Sequence, residues 1–169
     1  ALVLNRGALA ELALPSRGEI TLQCLLTDSG VNVSIKGAGR VDLLDRTKLE
    51  ALIAEATALQ LARLSFDCDP IIERAKPALR MGRAVVAPPP GAFLQPTALG
   101  EETLARLTVE AVAGAKRVVD LFSGIGTFAL RIAERAEVLA AEGDAGMLAA
   151  LKKAADGAGG SLKEVSTLR

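Results

Sequence analysis

In the stretch Asp120-Leu121-Phe122-Ser123-Gly124-Ile125-Gly126-Thr127-Phe128-Ala129, a carboxylate closes a run of apolar β-formers, and two glycines stand one residue apart just beyond it. A helical pattern follows, then a second short apolar run that ends in Glu142, with Asp144 shortly after. A strand, a tight turn, a helix and a second strand in this order hold an adenosine-bearing cofactor at the carboxyl ends of the strands. Gly124 to Ala129 fits the dinucleotide pattern G-x-G-x-x-G/A. In a dinucleotide site, however, the first glycine follows the strand almost directly, so that the pyrophosphate lies against the helix N-terminus. Asp120 instead places a fixed negative charge at the strand end, which repels a pyrophosphate and suits a ligand carrying positive charge. Asp144 fits the N-cap of the next helix, which leaves Glu142 for the ligand. Purely structural parts stay open to the same residues: a strand-to-helix turn for Gly124 and Gly126, and a helix N-terminal partner for Asp120.

These residues need elements to position them. The chain has 169 residues, half of them hydrophobic, enough for a sizeable core in one medium domain or two small ones. Lys plus Arg equals Asp plus Glu at 20 each, so no global basic charge points to a nucleic-acid partner, although a local basic face is compatible with that balance. There is no histidine, which removes the commonest general base and metal ligand and excludes hydrolytic triads and zinc hydrolases built on it. Cys24 and Cys68 are isolated, read as small buried hydrophobes, and no metal is expected. No apolar run approaches the ~20 residues of a membrane-spanning helix, and the first residues lack the order of a signal peptide, so a cytoplasmic protein with no membrane partner is expected.

Along the chain, the alternation in Glu19 to Gly37 predicts a hairpin around Thr27-Asp28-Ser29-Gly30. The apolar spacing of Leu49, Leu52, Ile53, Ala56, Leu59 and Leu61 predicts a helix, begun by a capping box of Thr47 and Glu50. Short strands are expected near Ala62 to Asp69, Pro70 to Lys76 and Arg83 to Pro89, in an α+β region built on an antiparallel sheet. Three prolines, Pro88 to Pro90, break every regular pattern and mark the domain boundary. Beyond them a helix with its stripe on Leu104, Leu107, Val109 and Val112 leads into strands alternating with helices, the pattern of a parallel, doubly wound sheet.

The form Asp-x-x-x-Gly-x-Gly after a strand resembles the cofactor loop of Rossmann-like methyltransferases, whose donor S-adenosylmethionine carries an ammonium and a sulfonium. That resemblance implies glycines that let backbone approach the ligand, and an acid, here Glu142, that accepts hydrogen bonds from both ribose hydroxyls. Ahead of it, Pro90-Gly91-Ala92-Phe93-Leu94-Gln95 looks like the segment PGxFxQ of the RNA uracil-5-methyltransferase family, which makes 5-methyluridine in transfer and ribosomal RNA. The order of that segment, a helix, the Asp120 to Phe128 loop and Glu142 is similar to the family's over nearly the whole chain. The fold class implied is α/β: an N-terminal α+β central domain at 1–90, followed by the first half of a Rossmann-like methyltransferase domain at 91–169. Carried over singly, the donor contacts are Gln95, Phe122, Thr127 and Glu142, beside Asp120, Gly124 and Gly126. A loop role for Gln95 and a core role for Phe122 remain open.

In the family a cysteine thiolate adds to C6 of uracil, C5 takes the methyl group, and a base removes the C5 proton so that the thiol leaves. The resemblance places that cysteine and base after the third strand, so they are expected beyond Arg169, and the chain alone is expected to be inactive. It implies tRNA or rRNA as the partner, and Arg63, Arg74, Lys76, Arg80 and Arg83 form a basic run that meets phosphates or is simply solvated. Two further classes stay open: an NAD(P)-binding oxidoreductase domain, and a non-catalytic module that holds cofactor or RNA.

Overall fold

The computed structural model describes residues 20–37 and 45–169; the chain start, expected to carry no signal peptide, lies outside them. The chain divides into two compact units, Ala1–Pro77 and Ala78–Arg169. In the first, strands β1 (Thr21–Thr27) and β2 (Gly30–Lys36) form the expected hairpin, closed by Thr27 facing Gly30. Helix α1 (Arg46–Ala58) then carries the chain back to β3 (Arg63–Phe66), which pairs parallel to β2, and β4 (Asp69–Glu73) returns antiparallel. The sheet, in the order β1-β2-β3-β4, is therefore mixed where an antiparallel one was expected. A crossover helix between adjacent strands makes the pair parallel, and α1 is that crossover.

The core of this unit is Val33, Ile35, Leu52, Ala56, Leu61, Leu64 and Phe66, so α1 buries the face that the apolar spacing predicts. The cap differs. Asp45 accepts the Thr47 N–H at 2.7 Å, while Glu50 pairs with Arg46 at 2.8 Å, so the Thr47 and Glu50 capping box does not form. Asp45 wins because its carboxylate reaches the free N–H groups of the first turn directly. Both cysteines are exposed, against the expectation of burial: Cys24 lies on β1, and Cys68 sits at φ +79° in the turn between β3 and β4.

The second unit begins ahead of the proline run, with the hairpin of β5 (Leu79–Met81) and β6 (Ala84–Val86). Met81, Ala84 and Val86 are buried in one cluster with Leu130, Val138 and Leu151, and this burial assigns the hairpin to the second unit. Helix α2 (Ala98–Ala111) leads to β7 (Arg117–Leu121), α3 (Ala129–Ile132), β8 (Glu137–Ala141), α4 (Ala145–Gly157) and β9 (Val165–Leu168). The three strands are parallel in the order β7-β8-β9, with Val119 beside Leu139 and Leu139 beside Ser166. One face, carrying Val138, Ala140 and Val165, is buried; on the other, Val119, Leu121 and Leu168 are exposed.

Two helices depart from the sequence pattern. On α2 the buried position is Ala105, with Val109 and Val112 partly buried, while Leu104 and Leu107 lie exposed, so the packed face is rotated from the expected stripe. Helix α3 is only four residues long. Around it the N–H groups of Arg131, Glu134 and Arg135 bond three residues back, and those of Leu130, Ile132 and Ala133 four back, so the segment tightens into mixed turns.

Gly126 sits tightly against the core of this unit. It has φ +97°, and a Cβ there would lie 2.9 Å from atoms of both Leu130 and Leu151. Gly124 is also left-handed, at φ +56°, but a Cβ there meets nothing within 4 Å. Gly126→Ala is expected to cost at least ~2 kcal/mol, from backbone strain and overpacking together, and Gly124→Ala about 1 kcal/mol from the backbone alone. Urea unfolding of the two variants checks this order.

Candidate functional site

The site is built where β7 and β8 end. Phe122 is the first residue past β7; it stands at φ +58° with its side chain 90% exposed. A left-handed backbone on an aromatic residue costs about 1–3 kcal/mol, and such strain collects at ligand sites. Its exposure rules out the core role. Ser123 turns inward, and its N–H donates to the Ala141 carbonyl at 3.0 Å, stitching the loop to the end of β8. A tight turn follows, closed by the Gly126 N–H on the Ser123 carbonyl at 2.9 Å, with Ile125 buried in the core.

Glu142 joins this loop to the next one. One carboxylate oxygen accepts the Gly124 N–H at 2.9 Å, and the other accepts the Asp144 N–H at 2.9 Å. Each oxygen keeps a further acceptor position. Asp144 caps α4, as expected, by accepting the Met147 N–H at 2.8 Å. Asp120 is half-buried on the strand beneath the loop. Burial pushes its carboxyl above the ordinary carboxylate range, the Ala129 backbone N–H drawing it back, and Oδ2 is enclosed without a partner among the described residues. Asp120 thus keeps an unsatisfied acceptor beneath the loop.

The proline segment enters from the other side. Pro90 and Gly91 form the corner of a turn closed by the Ala92 N–H on the Pro89 carbonyl at 3.2 Å. Ala92 is buried and Leu94 packs against the same core, which leaves Phe93 exposed and Gln95 half-buried. A Cβ on Gly146 would stand 3.9 Å from Pro89, so the proline run passes beside the first turn of α4. Phe122, Gly124, Gly126, Thr127 and Glu142 therefore form one cluster at the carboxyl ends of the strands. Among the described residues no hydrogen bond joins Gln95 to the glycine loop.

Two residues at the site have no sequence signal. The guanidinium of Arg131 donates to the Thr127 carbonyl at 2.7 Å and to Glu101 at 2.9 Å. Their separation of 30 positions matches no periodic pattern, so only the folded chain shows the pairing. The basic run is largely committed elsewhere. Arg63 is buried on Asn32 and near Glu73, Arg74 donates to the carbonyls of Gln60 and Leu61, and Arg83 lies 3.6 Å from Glu134. No group of three or more candidate metal ligands occurs among the described residues, and none of their helices is long and apolar enough to cross a membrane.

The arrangement offers an exposed aromatic ring, a glycine turn with open space above Gly124, and two carboxylates at the ends of adjacent strands. It suits a ligand with a cationic end and neighbouring hydroxyls. No protein-family model matches the chain. An uncharacterized RNA methyltransferase of Brucella suis is 44% identical over 142 residues, covering 84% of this chain and 34% of that protein. Proteins of the same description in Rhizobium meliloti and Caulobacter vibrioides are 41% and 38% identical, covering 88% and 94% of this chain and 34% and 40% of their own. Among solved structures, the Pyrococcus abyssi tRNA (uracil-54, C5)-methyltransferase in complex with S-adenosyl-L-homocysteine has a TM-score of 0.60 at 18% identity, covering 88% of this chain and 38% of that one. The M. jannaschii tRNA m1G37 methyltransferase has a TM-score of 0.58 at 17% identity, covering 90% and 48%. The chain thus has the Rossmann-like methyltransferase fold and is similar in sequence to these RNA methyltransferases, of whose length it spans about a third.

Proposed function

We propose that this chain carries the methyl-donor site of an S-adenosylmethionine-dependent RNA methyltransferase that forms 5-methyluridine in tRNA or rRNA. The observation that carries the reading is the Glu142 carboxylate, bonded to the Gly124 N–H across the gap between β7 and β8 and still able to accept ribose hydroxyls. The enclosed, unpartnered oxygen of Asp120 and the open space above Gly124 fit the same donor, whose ammonium and sulfonium call for negative charge at the strand ends. When bound, S-adenosylmethionine supplies the electrophilic methyl group. Phe122 covers the ligand with its exposed ring, Thr127 offers a hydroxyl at the loop's end, and Gln95 bonds the polar end with its amide.

Uracil as the target base rests on the likeness of the segment Pro90 to Gln95 to the PGxFxQ segment of the uracil-5-methyltransferases. The fold alone does not select the base, since the solved structures it matches include methyltransferases named for different bases. No residue of this chain is assigned the nucleophile's part. Cys24 and Cys68 both belong to the first unit, apart in sequence from the loops that form the site.

Calorimetry with S-adenosylhomocysteine and with NADH tests the cofactor. The first is expected to bind and the second not; tighter dinucleotide binding overturns the assignment in favour of an oxidoreductase domain. Glu142→Ala should weaken S-adenosylhomocysteine binding by about 1–3 kcal/mol, the effect of losing a charged acceptor together with the loop bond it makes.

The pH dependence follows from Asp120. Burial raises its carboxyl above the ordinary carboxylate value and so favours the protonated form, whereas an ammonium-bearing ligand favours the ionised one. Affinity is therefore expected to rise with pH up to that raised pKa and then level off, and Asp120→Asn should flatten the profile. Stability of the ligand-free chain runs the other way. The folded state holds the proton more tightly than the unfolded one, so stability falls as pH rises from the ordinary carboxylate range through the raised value. Incubation of the chain alone with labelled donor and uridine-containing RNA is expected to give no 5-methyluridine. Product that vanishes in Cys68→Ser would make that exposed thiol the nucleophile.

A further inference from the structure

Arg131 folds back over its own turn. Its backbone N–H bonds the Phe128 carbonyl at 3.1 Å, and the Thr127 carbonyl is taken instead by the guanidinium at 2.7 Å. The second arm of the same fork reaches Glu101 at 2.9 Å. Both side chains are largely shielded, 18% exposed for Arg131 and 16% for Glu101. The pairs Arg46 with Glu50, Arg106 with Glu110 and Arg117 with Glu137 are far more open to water, where ion pairs are screened and weak. A planar guanidinium sets two partners in one plane, which a lysine cannot do.

Glu101 stands in the first turn of α2. Its N–H donates to the Thr97 carbonyl at 3.0 Å, and the Thr97 hydroxyl caps the helix by accepting the Gly100 N–H at 3.1 Å. Gln95 lies just ahead of that cap. A shift of Glu101 therefore moves the start of α2 and, with it, the segment bearing Gln95.

We propose that the Glu101–Arg131 ion pair is a brace that sets the Gln95 segment against the Thr127 end of the glycine loop, which makes Glu101 and Arg131 positioning residues for the bound donor. The proposal rests on the donor-site reading for its effect on ligand, but the brace itself exists in the free chain. Misplacing a binding group by about 1 Å is enough to cost orders of magnitude at a site, so a shielded brace between two walls matters more than its own strength as an ion pair.

A double-mutant cycle on S-adenosylhomocysteine affinity tests it, with amide exchange on the ligand-free chain in parallel. Arg131→Met should weaken binding about tenfold, and Gln95→Ala should then add less than about twofold, although alone it weakens binding about tenfold. Arg131→Lys should fall between wild type and Arg131→Met. Glu101→Gln, which keeps a neutral acceptor, serves as the second variant if Arg131→Met fails to fold. In the free chain, both Arg131→Met and Glu101→Gln should speed exchange of the Gly100 and Glu101 amides as well as those of Gly126 and Leu130. An undiminished effect of Gln95→Ala in the Arg131→Met background overturns the brace, and so does unchanged exchange at Gly100 and Glu101. If the wild-type chain binds no S-adenosylhomocysteine, the donor reading falls, while exchange still decides whether the brace exists.

Discussion

The bond between the Gly124 N–H and the Glu142 carboxylate is the interaction on which the site depends. Parallel pairing of β7 and β8 brings the two strand ends level, but backbone pairing stops at Leu121 and Ala141. Past that point the chain needs another partner for its N–H groups, because a strand end left unpaired and partly buried is costly. Ser123 uses the last carbonyl of β8, and Glu142 supplies the next two acceptors, one for each loop. The glycine turn and the start of α4 are thereby held in a single frame.

That frame is anchored from below by close packing. Gly126 has no room for a side chain because Leu130 and Leu151 close over it, whereas Gly124 faces open space. The two glycines of one motif thus serve different ends: one lets the turn sit down on the core, and the other leaves the upper surface of the loop clear. Backbone strain at Phe122 belongs to the same design. The loop takes a left-handed conformation on an aromatic residue, which turns the ring outward instead of into the core.

Polar groups under and beside the loop complete its support. Asp120 lies half-buried near the Ala129 N–H, and Arg131 takes the Thr127 carbonyl that its own backbone leaves over. Neither is a surface ornament: each satisfies or strains a group that the turn would otherwise bury alone. The hairpin of β5 and β6 adds to this unit from the sequence side of the prolines, since Met81, Ala84 and Val86 fill the core under α3 and α4.

Local chemistry made part of this legible in the sequence. The β1–β2 hairpin, the strands of the parallel sheet and the Asp144 cap follow from periods and turn residues that act over a few positions, while the grouping of the glycine loop with Glu142 came from the resemblance to methyltransferase cofactor loops. What remained hidden depended on contacts between distant segments. The parallel pairing of β2 with β3, the face that α2 buries, the shortness of α3 and the place of the β5–β6 hairpin are settled by which surfaces meet, and apolar spacing is nearly the same for either outcome. The choice of Asp45 over Thr47 as cap turned on a difference of two residues in the helix start, which periodicity does not resolve. Glu101 and Arg131 carry no pattern at all in the sequence, because an ion pair across 30 positions forms only when packing has already brought α2 and α3 together.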